Sequence, residues 1–547
     1  MTKLFIVESP TKIKTLKKIL SSFKKSFILL PTYGHIKDLP KNSLGVDLKT
    51  LEPRFIYLRS KYKVLKELKR LSSKVSEVYL ATDPDREGEA ISYYVKEYLL
   101  KQRKDLVFYR LDLREITPLG VKTALNNLRE VDEKLYESFL ARRVLDRLIG
   151  YLVSPYLSRA FNQALSAGRV QSPALRLIVE REREIEDFKP EITYGLILTL
   201  EQNGTTFTCE LFKKKFPYRA KTKEELEEFF KRYVEGRRLY VEKVETKKIK
   251  EAPPPPFKTS TLIEAAGKAF GFSAKETMFL AQRLYEQGYI TYHRTDSTRV
   301  SPLAKKMAEL YIKTHFGEEY CGQTRRRRVQ KFTQDAHEAI RPTNLEITGE
   351  SLPQKERLLY QLIWSRFLAS EMSSAVYLQV KAEIKTEALT QHFSFIFSGK
   401  KLLFPGFKRL FSEEKDPAVI PDLKDGMDLI LLGYKVEKHE TKPPSRYTEE
   451  TLIKKMESLG IGRPSTYATM LDILYQRGYI NKIKRELVPT ELGKKVCDYL
   501  SQKTPFFMDY NYTAEVEKEL DEIAKGLNTY AQVVKDVLEK LWECLKK

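Results

Sequence analysis

Cysteine is scarce: Cys209, Cys321, Cys497 and Cys544 are the four in 547 residues, and no two are neighbours in sequence. That spacing excludes a Cys-x-x-Cys zinc pair and a disulfide framework, and it points to a reducing, cytoplasmic setting. No run of about 18 apolar residues occurs, which excludes a transmembrane helix. The first apolar run ends at Glu8, too early for a signal peptide. Gly-x-x-x-x-Gly-Lys-Ser/Thr is missing, so no ATP-binding P-loop is expected. Acidic residues are in deficit: 97 Lys and Arg against 74 Asp and Glu leave a net charge of +23. The excess favours a polyanionic partner, with nucleic acid ahead of a membrane surface. A Lys- and Glu-rich surface of thermophilic type is the plainer reading of the same composition. What is present is the material of folded domains, 42% hydrophobic and 11% aromatic. A chain of this length exceeds one ordinary core and implies roughly three to five domains.

The N-terminal part reads as α/β. Leu4–Val7 is a short buried-type strand, Ser9-Pro10 starts a helix with Ser as cap, and Ile13, Leu16, Ile19 and Leu20 form its apolar stripe. Val78–Thr82 and Phe108–Leu113 are further strands, and a helix carrying Ile91, Tyr94, Val95, Tyr98 and Leu99 lies between them. Strands alternating with helices imply a mostly parallel sheet. Residues 132–187 are helical and highly charged. Residues 192–250 and 376–440 are β-rich and flank a helical insert, so the two stretches are expected to form one discontinuous domain. Pro253–Pro256 is a stiff linker, and Pro443-Pro444 marks a second boundary before a helical tail. Residues 259–292 align without gaps on 449–482: Thr261-Leu262-Ile263 on Thr451-Leu452-Ile453, Leu284-Tyr285 on Leu474-Tyr475, and Gly288-Tyr289-Ile290 on Gly478-Tyr479-Ile480. Each copy reads helix, turn, helix, Gly, strand, the pattern of a helix-turn-helix with a wing.

The copies differ where chemistry is expected: Tyr292 in the first is Lys482 in the second. Tyr292 lies in Tyr289-Ile290-Thr291-Tyr292-His293-Arg294-Thr295-Asp296-Ser297. A phenol oxygen is a nucleophile once deprotonated, and Arg294 offers a fork of donors suited to phosphate. A polar surface strand is the plain alternative; the loss of the tyrosine from the second copy argues against a need for it in folding. The other constellation is Ala81-Thr82-Asp83-Pro84-Asp85-Arg86-Glu87-Gly88-Glu89, between a strand end and a helix start. Asp83, Asp85 and Glu87 alternate and can converge on a hard cation such as Mg²⁺. An acidic helix N-terminus favoured by the helix dipole is the alternative. Glu8, at the carboxyl end of the first strand, and Lys12, one turn on, fall where open parallel sheets place ligands.

With these residues in view, the chain resembles the type IA DNA topoisomerases, most closely the bacterial topoisomerase I group. Glu8 with the acidic loop looks like a Toprim domain. The likeness runs from end to end and includes Phe5–Lys12, Leu165–Pro173, Pro254–Leu262, Asp335–Pro342 and Gly460–Tyr467. The resemblance implies a multidomain torus. Its parts are a Rossmann-like Toprim domain (1–131, with an excursion toward the helical domain near 37–75), a helical single-strand-binding domain (132–188 and 445–547), a β-rich arch or hinge (189–251 and 375–444) and a winged-helix-like domain carrying the tyrosine (252–374). It further implies an ATP-independent monomer that cleaves one DNA strand through a 5′-phosphotyrosine link, passes a strand and religates, relaxing negative supercoils in the bacterial nucleoid. Tyr292 is then the nucleophile, Arg294 and Lys12 stabilise phosphoryl charge, and Glu8 moves the proton of the leaving oxygen. Asp83, Asp85, Glu87 and Glu8 hold Mg²⁺, and His337 contacts the scissile region. By position, Arg110, Arg142, Asp146, Arg169, Gln171, Ser172, Gln282, Glu286, Arg463, Thr466 and Arg477 bind DNA. Arg142 and Asp146 stand at i, i+4, so Asp146 is expected to orient Arg142. Zinc is not expected, and without zinc ribbons relaxation is expected to be distributive or to rely on a partner. The rival readings are a topoisomerase III-like decatenase and a non-catalytic nucleic-acid scaffold.

Overall fold

The structure, a computed structural model, describes residues 3–23, 26–322, 338–411 and 420–546. Four parallel strands in the order Phe27–Pro31, Lys3–Val7, Glu77–Leu80, Val107–Arg110 make the N-terminal sheet. Alternation along the leading strand sorts its side chains to two faces. Leu4 and Ile6 join Leu65, Leu68, Tyr94 and Leu99 on one side. Phe5 and Val7 face Leu16 and a cluster that continues without a break into Phe257, Leu284, Tyr285, Ile290 and Tyr292. The tyrosine segment is thus packed on the N-terminal unit by a shared apolar core. Helix Pro10–Leu20 starts where the sequence predicts it, with the Ser9 hydroxyl accepting the Lys12 N–H at 3.2 Å. Strand Phe27–Pro31 has no counterpart in the sequence reading. Near 37–75, Leu39, Val46 and Leu51 pack with the helical core, and Arg143 is bonded to Asp38 at 2.6 Å.

Both β-rich stretches enter one seven-stranded antiparallel sheet. Strand Phe393–Phe404 also pairs with Thr205–Lys213, so the sheet curls and closes on itself. Closure pairs the strand edges that would otherwise stay open.

The repeat is visible as two helix pairs, Thr259–Phe270 with Ala274–Glu286 and Glu449–Ser458 with Tyr467–Gln476. Equivalent helices touch each other, first against first and second against second. Glu449 accepts the N–H of Ala274 at 2.8 Å, and Lys482, the counterpart of Tyr292, is bonded to Glu449 at 2.9 Å. The second copy carries a hairpin wing, Ile480–Ile483 with Glu486–Pro489. The first copy does not, which corrects the strand expected around Tyr292. After Gly288, Ile290 only bridges Pro342, the Thr291 N–H goes to the Arg341 carbonyl, and the Tyr292 N–H goes to the Arg114 carbonyl at 2.9 Å. The segment's donors are spent on separate neighbours, Arg341 within its own unit and Arg114 of the N-terminal one, so no ladder forms.

Candidate active site

The acidic loop owes its shape to two devices. Gly88 allows the loop to close on itself, because a Cβ there would collide with the Asp83 carbonyl. Asp85 caps helix Arg86–Leu100, its carboxylate accepting the Gly88 N–H at 2.9 Å. Underneath lies Arg110, fully buried, donating to Glu89 and to the carbonyls of Leu80, Thr82, Leu111 and Asp83. This corrects its expected place among the DNA contacts. Strand Val107–Arg110 points the side chain into the sheet's end, where it supports the loop from below. Arg110→Met is expected to cost about 1–3 kcal/mol by leaving buried loop carbonyls without their donor, Glu89 keeping Arg129 and the Asp132 N–H, and thermal unfolding reads it. A DNA contact would instead change the salt slope of single-strand binding by about 0.7; that slope is expected to stay put.

Glu8 and Lys12 meet Asp83 beside the loop. Lys12 is fully buried, its ammonium paired with Asp83 and with Glu8 at 3.1 Å, and it lies 5.4 Å from the centre of the Tyr285 ring. Burial works against its charge, but the Asp83 carboxylate outweighs burial and holds it firmly protonated, and Glu8 adds to this once ionised. Asp83 would be raised by burial, yet Lys12 and Arg294 keep it below the usual carboxylate range. Glu8 goes the other way: burial and then the Asp83 charge push it up to about 8, so it is protonated at neutral pH.

Tyr292 arrives from the other side of the interface. Its ring is 3% exposed, edge-on to Tyr285 at 5.1 Å, and its hydroxyl donates to Asp85 at 2.6 Å. Arg294 reaches the same carboxylate oxygen at 3.4 Å. Burial, then Asp85 and Asp83, hold the phenol proton on far above its ordinary range, with Arg294 opposing. His293 is buried and kept neutral by that burial and by Arg294. The structure therefore gathers residues from segments some two hundred positions apart around two neighbouring carboxylates, Lys12 and Glu8 at Asp83 and Tyr292 and Arg294 at Asp85.

The interface is stitched by Thr15 to the Glu286 carbonyl at 2.8 Å, Tyr285 to the Leu113 carbonyl at 2.5 Å and Arg341 to Glu115 at 3.0 Å. Gly288 sits in it with φ +82°, and an added Cβ would strike the Ile116 carbonyl. Gly288→Ala is expected to cost about 1–3 kcal/mol in strain alone and to move Tyr292 off Asp85, seen as a lower melting temperature and a lower yield of covalent adduct.

The other expected residues fall as follows. Glu87 turns to His35 at 2.7 Å instead of converging with Asp83. Among the described residues no three His, Cys, Asp or Glu side chains are gathered as a metal cage. Asp85 and Glu87 do border a common crevice of about 40 Å³ with Arg86, Arg142, Arg294 and Arg463. Mg²⁺ takes one or two carboxylates and keeps several waters, so this donor set fits it in kind. Asp146 does not orient Arg142: it pairs with Arg169 at 3.2 Å, while Arg142 turns inward to Glu517 at 3.8 Å. The buried carboxylate outcompetes the half-exposed one at i+4 because it is poorly screened. Gln171 is bonded to the Ser166 carbonyl, Ser172 accepts the Gly168 N–H, and the Thr466 hydroxyl accepts the Arg463 N–H and donates to the Arg463 carbonyl. Gln282 is bonded to Glu286 at 2.9 Å, and Arg477 is exposed, touching the Ala164 carbonyl. His337 and the run Arg325–Arg328 lie outside the described residues. Sequence reading missed Glu517 and Asp521, i and i+4 on helix Tyr510–Ala524; a glutamate in the buried row of that amphipathic helix was the available signal.

A family model described as DNA topoisomerase matches residues 130–535, and a Toprim domain model matches residues 3–111. DNA topoisomerase 1 of Aquifex aeolicus is 45% identical over 99% of this chain and 98% of its own length. DNA topoisomerase 1 of Thermotoga maritima is 42% identical over 98% of this chain and 84% of its own length. The solved structure of full-length topoisomerase I from Thermotoga maritima superposes with a TM-score of 0.88 at 40% identity, covering 99% of this chain and 90% of that one. The chain belongs to the DNA topoisomerase family, as a DNA-binding isomerase built on a Toprim domain. Within that family it is a type I enzyme of the IA class, with the multidomain, torus-like fold of the class.

Proposed function

We propose that the enzyme cleaves one strand of DNA through Tyr292, passes a strand through the gap and reseals it without ATP, relaxing negative supercoils as a monomer acting on their single-stranded segments. The observation that carries this reading is the 2.6 Å bond from the Tyr292 hydroxyl to Asp85, with Arg294 on the same oxygen. It sets a nucleophile against the acidic loop across the contact between the two units.

The phenol oxygen attacks a backbone phosphorus, and its proton leaves along its hydrogen bond to Asp85. The bond from phosphorus to the 3′-oxygen breaks, and Glu8, protonated below about 8, supplies that oxygen's proton. Arg294 and Lys12 face the negative charge that spreads over the phosphoryl oxygens. Resealing runs the same exchange backward, with Glu8 taking its proton back. One ester replaces another throughout, so no external energy source enters. Asp85 and Glu87, with Asp83 once Lys12 shifts, would hold Mg²⁺, which when bound supplies positive charge against these carboxylates and the phosphate. Glu8, being protonated and deeper, is better suited to proton transfer than to the metal. Arg142, Arg169 and Arg463, with the nearby Gln171, Ser172, Thr466 and Arg477, line the approach for single-stranded DNA.

The polarity of the link tests the proposal. Single-stranded DNA labelled at its 3′ end and denatured during reaction should leave label on the protein, and 5′-labelled DNA should release it. Label retained only from the 5′ end would reverse the assignment.

A further inference from the structure

Beside the reacting groups lies a cluster of charge that the cleavage chemistry does not use. Helix Tyr510–Ala524 presents Glu517 and Asp521 one turn apart. Glu517 is fully buried and bonded to Arg169, with Arg142 and Arg463 at 3.8 and 3.7 Å. Asp521 is nearer solvent, its side chain 17% exposed. Its two oxygens are divided between two guanidinium groups from different parts of the fold: Arg86, of the acidic loop, and Arg463, at 2.7 Å. Arg86 and Arg463 both line the crevice that Asp85 and Glu87 border.

Four arginines thus share two carboxylates here, and a third carboxylate, Asp146, serves Arg169 alone. The donors are under-used. Nε and Nη1 of Arg86, Nε of Arg463 and one Nη2 each of Arg142 and Arg169 are buried with no hydrogen-bond partner. Arg86 and Arg463 are only 7% and 6% exposed. Buried guanidinium groups with idle N–H donors are suited to an anion with more acceptor oxygens than a carboxylate has. A phosphodiester presents two charged oxygens in a similar bridging geometry and further acceptors beside them.

We infer that Asp521 is an internal stand-in for a DNA phosphate: it bridges Arg86 and Arg463 in the DNA-free enzyme, and a backbone phosphodiester displaces it when a strand enters the crevice. The inference rests on the single-strand-binding reading above and adds to it an anion carried by the protein itself. The stand-in keeps the two guanidinium groups together and charged without DNA, and it makes every binding event an exchange of one anion for another. A nonspecific contact too weak to displace Asp521 does not close the site.

The sign of one substitution tests this. Asp521→Asn removes the competing charge and keeps the shape. Binding of a labelled oligothymidylate, followed by fluorescence anisotropy across a salt series, should tighten about threefold to tenfold, since a like charge no longer opposes the phosphate. The dependence of log affinity on log salt should steepen by about 0.7, the contribution of one more neutralised phosphate on a single strand. Asp521→Ser serves as a second neutral variant should the amide impair folding, which thermal unfolding reports. Glu515→Gln, an exposed carboxylate on the same helix, controls for net charge and should shift affinity by less than about twofold. Unchanged or weaker binding by folded Asp521→Asn, or an equal gain from Glu515→Gln, overturns the stand-in. The covalent adduct is scored separately: if wild type forms none, the cleavage reading fails whatever the affinities show.

Discussion

Tyr292→Phe abolishes the covalent protein–DNA adduct and lowers strand cleavage by on the order of 10⁴-fold or more, the scale on which enzymes lose rate with their nucleophile. The ring stays packed on Tyr285, because only the hydroxyl is lost. The cost to stability is that of one hydrogen bond to a charged acceptor, about 1.5–3 kcal/mol at most. Single-strand binding should persist, since the arginines around Glu517 and Asp521 do not depend on the phenol. Adduct trapping and anisotropy on the same samples separate the two effects. Loss of both together would mean that the phenylalanine had disturbed the interface.

Lys12→Ala comes second in size and acts on two quantities. Removing one positioned cation from a phosphoryl-transfer site lowers cleavage by about 10²–10³-fold. It also leaves Asp83 buried without its partner, at a cost of about 3–5 kcal/mol. The pH dependence of that cost follows from the shifts. Asp83 is held below its ordinary 3.8, so its contribution is present above 3.8 and fades as pH falls through its folded value. Lys12 is held above its ordinary 10.5, so its contribution is present below 10.5 and fades as pH rises through its folded value. The wild-type advantage over Lys12→Ala should therefore hold from 3.8 up to about 8, where Glu8 ionises beside Lys12 and adds to it, and should shrink in stronger acid and again above 10.5 as Lys12 loses its proton. Denaturant unfolding in metal-free buffer measures it. A difference that stays flat into strong acid would remove Asp83 as the partner.

Much of the fold was legible because short segments announce themselves. Ser9-Pro10 before an apolar stripe is a helix start wherever it occurs, and the two β-rich stretches share alternation and length. The repeat, read from identities at a fixed offset, emerged as two helix pairs in mutual contact. The candidate site was legible as two motifs, each with its own chemistry, and the structure sets Tyr292 against Asp85. What escaped was pairing at long range. Nothing local in Arg110 says that its strand ends inside the sheet, so a buried prop read as a DNA contact. Asp146 stands at the right spacing from Arg142, but spacing cannot show that Glu517, 375 positions away, offers a less screened charge. The Tyr289–Ser297 segment alternates enough to suggest a strand, yet its backbone donors are claimed by Arg114 and Arg341 from other segments.

The most direct test of the central claim is to find the residue that carries the DNA. Wild-type enzyme denatured during reaction with single-stranded DNA, digested with nuclease and protease, and analysed by mass spectrometry should yield one nucleotide-modified peptide, with the phosphate on Tyr292. Modification of any other residue, or an adduct of undiminished yield from Tyr292→Phe, would contradict the account.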